Sequence, residues 1–195
     1  MATDGLKFDS VDPAKMLILM ALPAESQGLI EKWADQHGAS LVFTGMGMIK
    51  ATQKTTQAIL EIKPDFILNL GTAGSRQFAV GTVVECIEIV RRDHPVRFLN
   101  KKLVLSGISI LPKTNCGTAD NIDSSDAAGN YGVVDMEAYA IASVSKEFKI
   151  ACAVIKCVTD SSEQNVKEMW ETNTQAAAKA LHQFLMTAKR PPVKN

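Results

Sequence analysis

Short apolar runs alternate with stretches of helical spacing along most of this chain. Runs of strand length fall at Met16–Leu22, Leu41–Met46, Phe66–Leu70, Val83–Val90, Leu103–Ile110, Gly132–Met136 and Ala151–Val158. Several are continuous rather than alternating, the pattern of strands covered on both faces. Between them, Leu29, Ile30 and Trp33 share one helical face, with Gly38 placed to end that helix. Ile49, Thr52, Thr56, Ile59 and Leu60 form a second stripe, stopped at Pro64. Ala138, Ile141, Ala142, Ser145 and Phe148 form a third, and Val166, Met169, Trp170, Asn173, Ala177, Ala180, Leu181, Phe184 and Leu185 a fourth. Strands alternating with helices predict an α/β fold with a mixed, mostly parallel sheet. Residues 1–15, polar and carrying Asp4, Asp9 and Asp12, are expected to form a flexible leader. Residues 16–188 are expected to form a single domain, and residues 189–195, with Pro191 and Pro192, a frayed tail.

Composition narrows the function classes. The 195 residues are 46% hydrophobic, and 21 basic residues balance 21 acidic ones, so no broad positive field favours nucleic acid. No apolar run approaches the roughly 20 residues that span a membrane. The N-terminus lacks a signal-peptide pattern, which makes the cytoplasm the default location. Cys86, Cys116, Cys152 and Cys157 have no metal-ligand rhythm, and His37, His94 and His182 are scattered, so no metal site is expected. Cys152 and Cys157 are an odd number of residues apart on one predicted strand and therefore face opposite sides.

In open α/β sheets, ligands gather beyond the carboxyl ends of the strands. Three acids fall there: Glu25, Glu137 and Asp160. Together they could bind hydroxyls, position water and exchange protons. Each also has a plainer use. Glu25 could favour the positive end of a helix, Glu137 could be an exposed first-turn residue, and Asp160 could be an N-cap with Glu163 as capping-box partner. Two glycine-bearing turns, Gly45-Met46-Gly47 and Gly71-Thr72-Ala73-Gly74, also follow apolar runs, but neither fits a phosphate-binding fingerprint.

The ordered set Ala21-Leu22-Pro23-Ala24-Glu25, Thr44-Gly45-Met46-Gly47, Asn69-Leu70-Gly71-Thr72-Ala73-Gly74, Val134-Asp135-Met136-Glu137-Ala138 and Val158-Thr159-Asp160 is specific. It resembles the purine nucleoside phosphorylase and uridine phosphorylase superfamily, and within it the 5′-methylthioadenosine/S-adenosylhomocysteine nucleosidases. The resemblance implies a three-layer α/β/α sandwich, cleavage of a purine N-glycosidic bond without a cofactor, a small purine nucleoside as partner, and a homodimer. Carried over, Glu25 matches the glutamate that activates water, and Asp160 the acid that protonates purine N7. Glu137 matches the ribose anchor, Met136 lies against the sugar, and Thr159 is the hydroxyl-bearing neighbour of the acid. Gly71, Thr72, Ala73 and Gly74 match the turn beside the ribose and nucleophile. Ile122 falls where an aromatic residue stacks on the purine, and Lys156 where an arginine lies near the water site.

The same resemblance leaves alternatives open. Phosphorylases of the superfamily hold phosphate with arginines, whereas here the first loop carries Glu25 and Asn69 stands at the second arginine's place, with Arg76 close by. Water is the better nucleophile on that pattern; a phosphorylase is the alternative. The segment between Gly74 and Asp120 is shorter than is usual in the family, which bears on the 5′ group accepted and leaves room for a nucleoside-binding member without turnover.

Overall fold

The computed structural model describes residues 7–93, 102–121, 130–161 and 165–188. In chain order its main elements are β1 (Met16–Met20), α1 (Leu29–His37), β2 (Ser40–Phe43), α2 (Met48–Ile62), β3 (Phe66–Gly74), β4 (Val83–Arg91), β5 (Leu103–Val104), β6 (Lys113–Thr118), β7 (Val133–Asp135), α3 (Ala138–Glu147), β8 (Ala151–Asp160) and α4 (Val166–Ala188). Every residue of β1 is buried, because the strand is flanked on both edges and covered on both faces. Its neighbours β2 and β3 run parallel to it, and β8 runs parallel to β3. Met16, Ile18, Met20, Leu68 and Leu70 pack with Ile30 and Trp33 of α1 and with Ala177, Leu181 and Leu185 of α4. The alternate residues Leu17, Leu19 and Ile67 pack with Met48, Ala51 and Ile59 of α2 and with Ile141 of α3. The period-two alternation of a strand thus builds the three layers, and the expected α/β/α sandwich is what forms. Cys152 and Cys157 fall in the clusters of opposite faces, as their spacing requires.

Beyond this parallel core the sheet curls. β8 pairs with β4 antiparallel, β4 with β6 parallel and β6 with β7 parallel; β7 then meets β3 antiparallel where Gly74 faces Val134. Five strands therefore return on themselves at the carboxyl end of β3, and that closure gathers the site.

Several elements differ from the sequence expectations. Residues 7–15 are not a loose leader: Phe8 and Val11 are core residues, and Phe8 packs on Phe184 of α4 at 5.1 Å between ring centroids. The face of α2 that meets the sheet is Met48, Ala51, Thr55, Ala58 and Ile59, rotated from the expected stripe. Ile49 and Leu60 are 71% and 61% exposed, because small Ala51 and Ala58 let the helix approach the sheet where bulkier neighbours would not. Phe148, expected on the α3 stripe, lies just past the helix and is 39% exposed. The expected strand Leu103–Ile110 is only two residues long. The amides of Ile108 and Ser109 are instead held by the buried carboxylate of Glu85, which Lys113 also contacts. β6 had no apolar run to betray it; its polar Thr114 and Asn115 serve the sheet through pairing and through Asn115 Oδ1, which accepts from Gly132 N at 2.6 Å. The capping-box partner Glu163, His94, Ile122 and the tail 189–195 lie outside the described residues.

Candidate active site

Glu25 is carried by a 3-10 turn, Pro23–Glu25, immediately after β1. Proline suits the first position of such a turn, where its missing N–H costs nothing. The side chain folds back so that Oε2 accepts from the amides of Ala21 and Leu22, both at 3.1 Å. Oε1 accepts from the Thr72 amide at 2.8 Å and the Thr72 hydroxyl at 2.7 Å. Thr72 lies in β3, because residues 71–74 continue that strand rather than form the expected turn. They pair with Lys156–Asp160 of β8, with a bulge after Ala73. Residue 71 has little room: a Cβ there would stand 3.3 Å from both Glu25 Oε1 and Lys156 Nζ, so those side-chain ends would have to give way.

Asp160 ends β8 and Glu137 follows β7. The plainer readings of these acids do not hold. α4 begins only at Val166, so Asp160 is not its N-cap, and Glu137 is 7% exposed, against 4% for Glu25 and 5% for Asp160. Thr159 Oγ1 donates to Asp160 Oδ2 at 3.1 Å, and Asn173 of α4 steadies the strand end through Thr159 O at 2.9 Å. Glu137 Oε1 accepts from Gly47 N at the start of α2 at 2.8 Å, while Asp120 Oδ1 accepts from Met48 N at 2.6 Å. Two carboxylates thus meet the positive end of α2, and Gly47 is small enough for Asp120 to reach it.

All three acids line one cavity of about 380 Å³, together with Thr72, Ala73, Gly74, Met136 and Thr159. Of the expected site residues, Gly71 lies beneath Glu25, and Lys156 does not line the cavity. Lys156 is buried below it, with Nζ 2.8 Å from Asp135 Oδ2. Asp135, whose role was not legible from its motif, is the hub of this region. Its Oδ1 accepts from Thr118 Oγ1 at 2.6 Å, and its Oδ2 also accepts from Ala138 N at 2.8 Å at the start of α3. Burial raises its pKa, but Lys156 and these donors outweigh burial and hold the carboxyl below its ordinary value. Burial would likewise neutralise Lys156, yet Asp135 and Glu137 keep it charged and its pKa raised. Trp170 of α4 was read as a core position; it lines the cavity instead, and its Nε1 donates to Thr72 Oγ1 at 2.9 Å. Helical register could not separate the two uses. Among the described residues no group of three His, Cys, Asp or Glu is placed to hold a metal ion.

Glu137 has its pKa pushed up to about 7, by burial first and then by the negative charge of Asp135. The folded protein therefore keeps a proton that an unfolded chain, with an ordinary glutamate near 4.5, releases. Between those values the folded state binds more protons, so stability falls as pH rises through the window. Glu137→Gln cannot ionise and is expected to escape that fall. Denaturant unfolding from pH 4.5 to 8 should show the variant gaining on wild type by about 1–3 kcal/mol. A difference independent of pH would show that Glu137 carries no such penalty.

The curled sheet brings three carboxylates together at its strand ends, and the chain is similar to known proteins built on the same fold. A family model described as "Phosphorylase superfamily" matches residues 103–190. The chain is also similar to the 5′-methylthioadenosine/S-adenosylhomocysteine nucleosidases. It is 27% identical to the enzyme of that name from Buchnera aphidicola (subsp. Schizaphis graminum) over 175 residues, covering 71% of this chain and 73% of the relative. It is 30% identical over 148 residues to the Arabidopsis thaliana enzyme of that name, covering 65% of this chain and 58% of the relative. The solved apo structure of Arabidopsis thaliana 5′-methylthioadenosine nucleosidase superposes with a TM-score of 0.78 at 22% identity, covering 89% of this chain and 93% of that one. Among the described residues no helix is long and apolar enough to cross a membrane.

Proposed function

We propose that this chain hydrolyses the N-glycosidic bond of a purine nucleoside, 5′-methylthioadenosine or a related 5′-modified adenosine, releasing adenine and the free sugar. The observation that carries the reading is the convergence of Glu25, Glu137 and Asp160, from three strand ends far apart in sequence, on one cavity of nucleoside size. The nucleosidase names of the similar proteins support the substrate class.

Breaking the bond leaves an oxocarbenium-like sugar and an electron-rich purine, so one carboxylate must take a proton and another must give one. Glu25 is the base for the attacking water. Asp160 is the acid for purine N7, with Thr159 beside it. Glu137 anchors the ribose hydroxyls with the oxygen that Gly47 does not hold, and Met136 lies against the sugar. Ala73 and Gly74 present backbone to the ligand.

Water rather than phosphate is the nucleophile. A carboxylate at the nucleophile's place repels an anion, the amide of Asn69 is engaged with Leu19 O at 3.0 Å, and Arg76 is not among the cavity-lining residues. The test is base release from 5′-methylthioadenosine with and without phosphate, with both products analysed. Adenine and free methylthioribose, unaffected by phosphate, are expected. Methylthioribose 1-phosphate would make the chain a phosphorylase, and adenine in neither tube would point to another nucleoside or to binding without turnover.

The working unit is a homodimer acting in the cytoplasm. The exposed Met46, Ile49 and Leu60, on and next to α2, are apolar surface that a second copy would cover. A monomer mass in sedimentation would overturn the dimer.

A further inference from the structure

Glu25 is a saturated carboxylate. A carboxylate has about four lone-pair sites, and here the amides of Ala21, Leu22 and Thr72 and the hydroxyl of Thr72 take them all. A water that is to surrender its proton to Glu25 therefore meets no open acceptor. Three of the four donors are backbone N–H groups fixed by the turn after β1 and by β3. Only the Thr72 hydroxyl can move or pass on a proton.

Trp170 decides which. A hydroxyl has one proton and two lone pairs, whereas an indole N–H donates only. With Trp170 Nε1 occupying one lone pair of Thr72 Oγ1, the threonine proton is committed to Glu25 Oε1 and the second lone pair stays available. Thr72 and Trp170 both line the cavity, and Thr72 is only partly buried, which places the hydroxyl at the edge of the space a nucleophile would occupy.

We propose that the Thr72 hydroxyl relays the proton from the attacking water to Glu25, and that Trp170 is the positioning residue that holds the hydroxyl in its relaying orientation. The proposal rests on Glu25 being the base. As the water oxygen bonds to C1′, the C1′–N9 bond breaks and its electron pair leaves on the purine, which takes the Asp160 proton at N7. The water's proton passes to Thr72 Oγ1 while the proton of Thr72 passes to Glu25 Oε1. Glu25 then releases its proton to solvent and Asp160 regains one.

Wild type, Thr72→Ser, Thr72→Val, Trp170→Phe and the Thr72→Val/Trp170→Phe double variant are compared for adenine release from 5′-methylthioadenosine, with kcat and KM separated. The valine keeps the shape and the amide at 72 but removes the relay, and is expected to lower kcat at least about 100-fold, a loss typical of proton-transfer groups. Serine should hold kcat within about threefold, since it restores the hydroxyl. Phenylalanine keeps an aromatic ring but removes the N–H, and should lower kcat about tenfold with KM within about twofold. In the valine background the same change should cost nothing further, because the two residues act as one unit. If Thr72→Val keeps kcat within about threefold, water reaches Glu25 directly and the relay is wrong. If Trp170→Phe costs as much with valine at 72 as with threonine, Trp170 acts by packing and the positioning role is wrong. Wild type that releases no adenine overturns the reading of the function on which this proposal rests, whereas active wild type with unmoved variants overturns this proposal alone.

Discussion

Glu25→Gln is expected to reduce base release about 1,000-fold or more in kcat, within the range by which removing a general base slows proton transfer. The geometry makes the substitution severe. Both oxygens of Glu25 face N–H donors, Ala21 and Leu22 on one side and Thr72 on the other. A glutamine amide must turn its own NH2 against one of those sides, which strands buried donors and costs about 1–3 kcal/mol of stability as well. The kinetic loss is far larger than that cost if the assay runs below the variant's melting temperature. Steady-state adenine release beside a thermal melt checks both. A folded Glu25→Gln protein with wild-type turnover would remove Glu25 from the reaction.

The second large effect is on stability. Asp135→Asn keeps the shape and one acceptor of the hub but leaves the Lys156 ammonium buried without its 2.8 Å partner. Breaking a buried pair from one side costs about 3–5 kcal/mol, and denaturant unfolding at neutral pH should show it. Glu137 is the neighbouring acid that can respond. Without the negative charge of Asp135 one of the causes that raise its pKa is gone, so it ionises more readily and offsets part of the loss as pH rises. Should the single variant fail to fold, Asp135→Asn combined with Lys156→Met is the informative protein. It removes both charges and is expected to recover part of the stability. A single-variant loss below about 1 kcal/mol would mean that the pair is not what holds this region.

The two effects act on different parts of one structure. Asp135 lines the cavity with Lys156 buried behind it, and together they tie the start of α3, next to Glu137, to β8, whose end carries Asp160. Glu25 approaches from the turn after β1 and is tied to β3 through Thr72. The base and the acid are thus held by neighbouring, paired strands, and their environments can still differ as opposite proton-transfer roles require.

Much of this was legible in the chain. The continuous apolar runs that became β1, the start of β3 and β8 announced strands buried on both faces, and the rule that ligands gather at strand ends picked out Glu25, Glu137 and Asp160 before any coordinate. β6 was not legible, because its residues are polar and its pairing partners lie far away in sequence. The α2 face was misread because helical register alone does not say which neighbouring stripe a sheet will accept. Lys156 was placed by resemblance at the nucleophile, while the structure turns it down to Asp135, a contact that exists only because β7 and β8 are brought together by the curl of the sheet.

Local pattern by itself determined the class of fold, the layers and the three acids, because periodicity and strand-end position are properties of neighbours along the chain. The tertiary structure alone decided that the glycine-bearing stretch is strand rather than turn, that Lys156 neutralises a buried hub, and that Trp170 reaches Thr72 across 98 positions of sequence. Those contacts depend on how far the sheet closes on itself, and closure is set by long-range pairing that no local window of residues encodes.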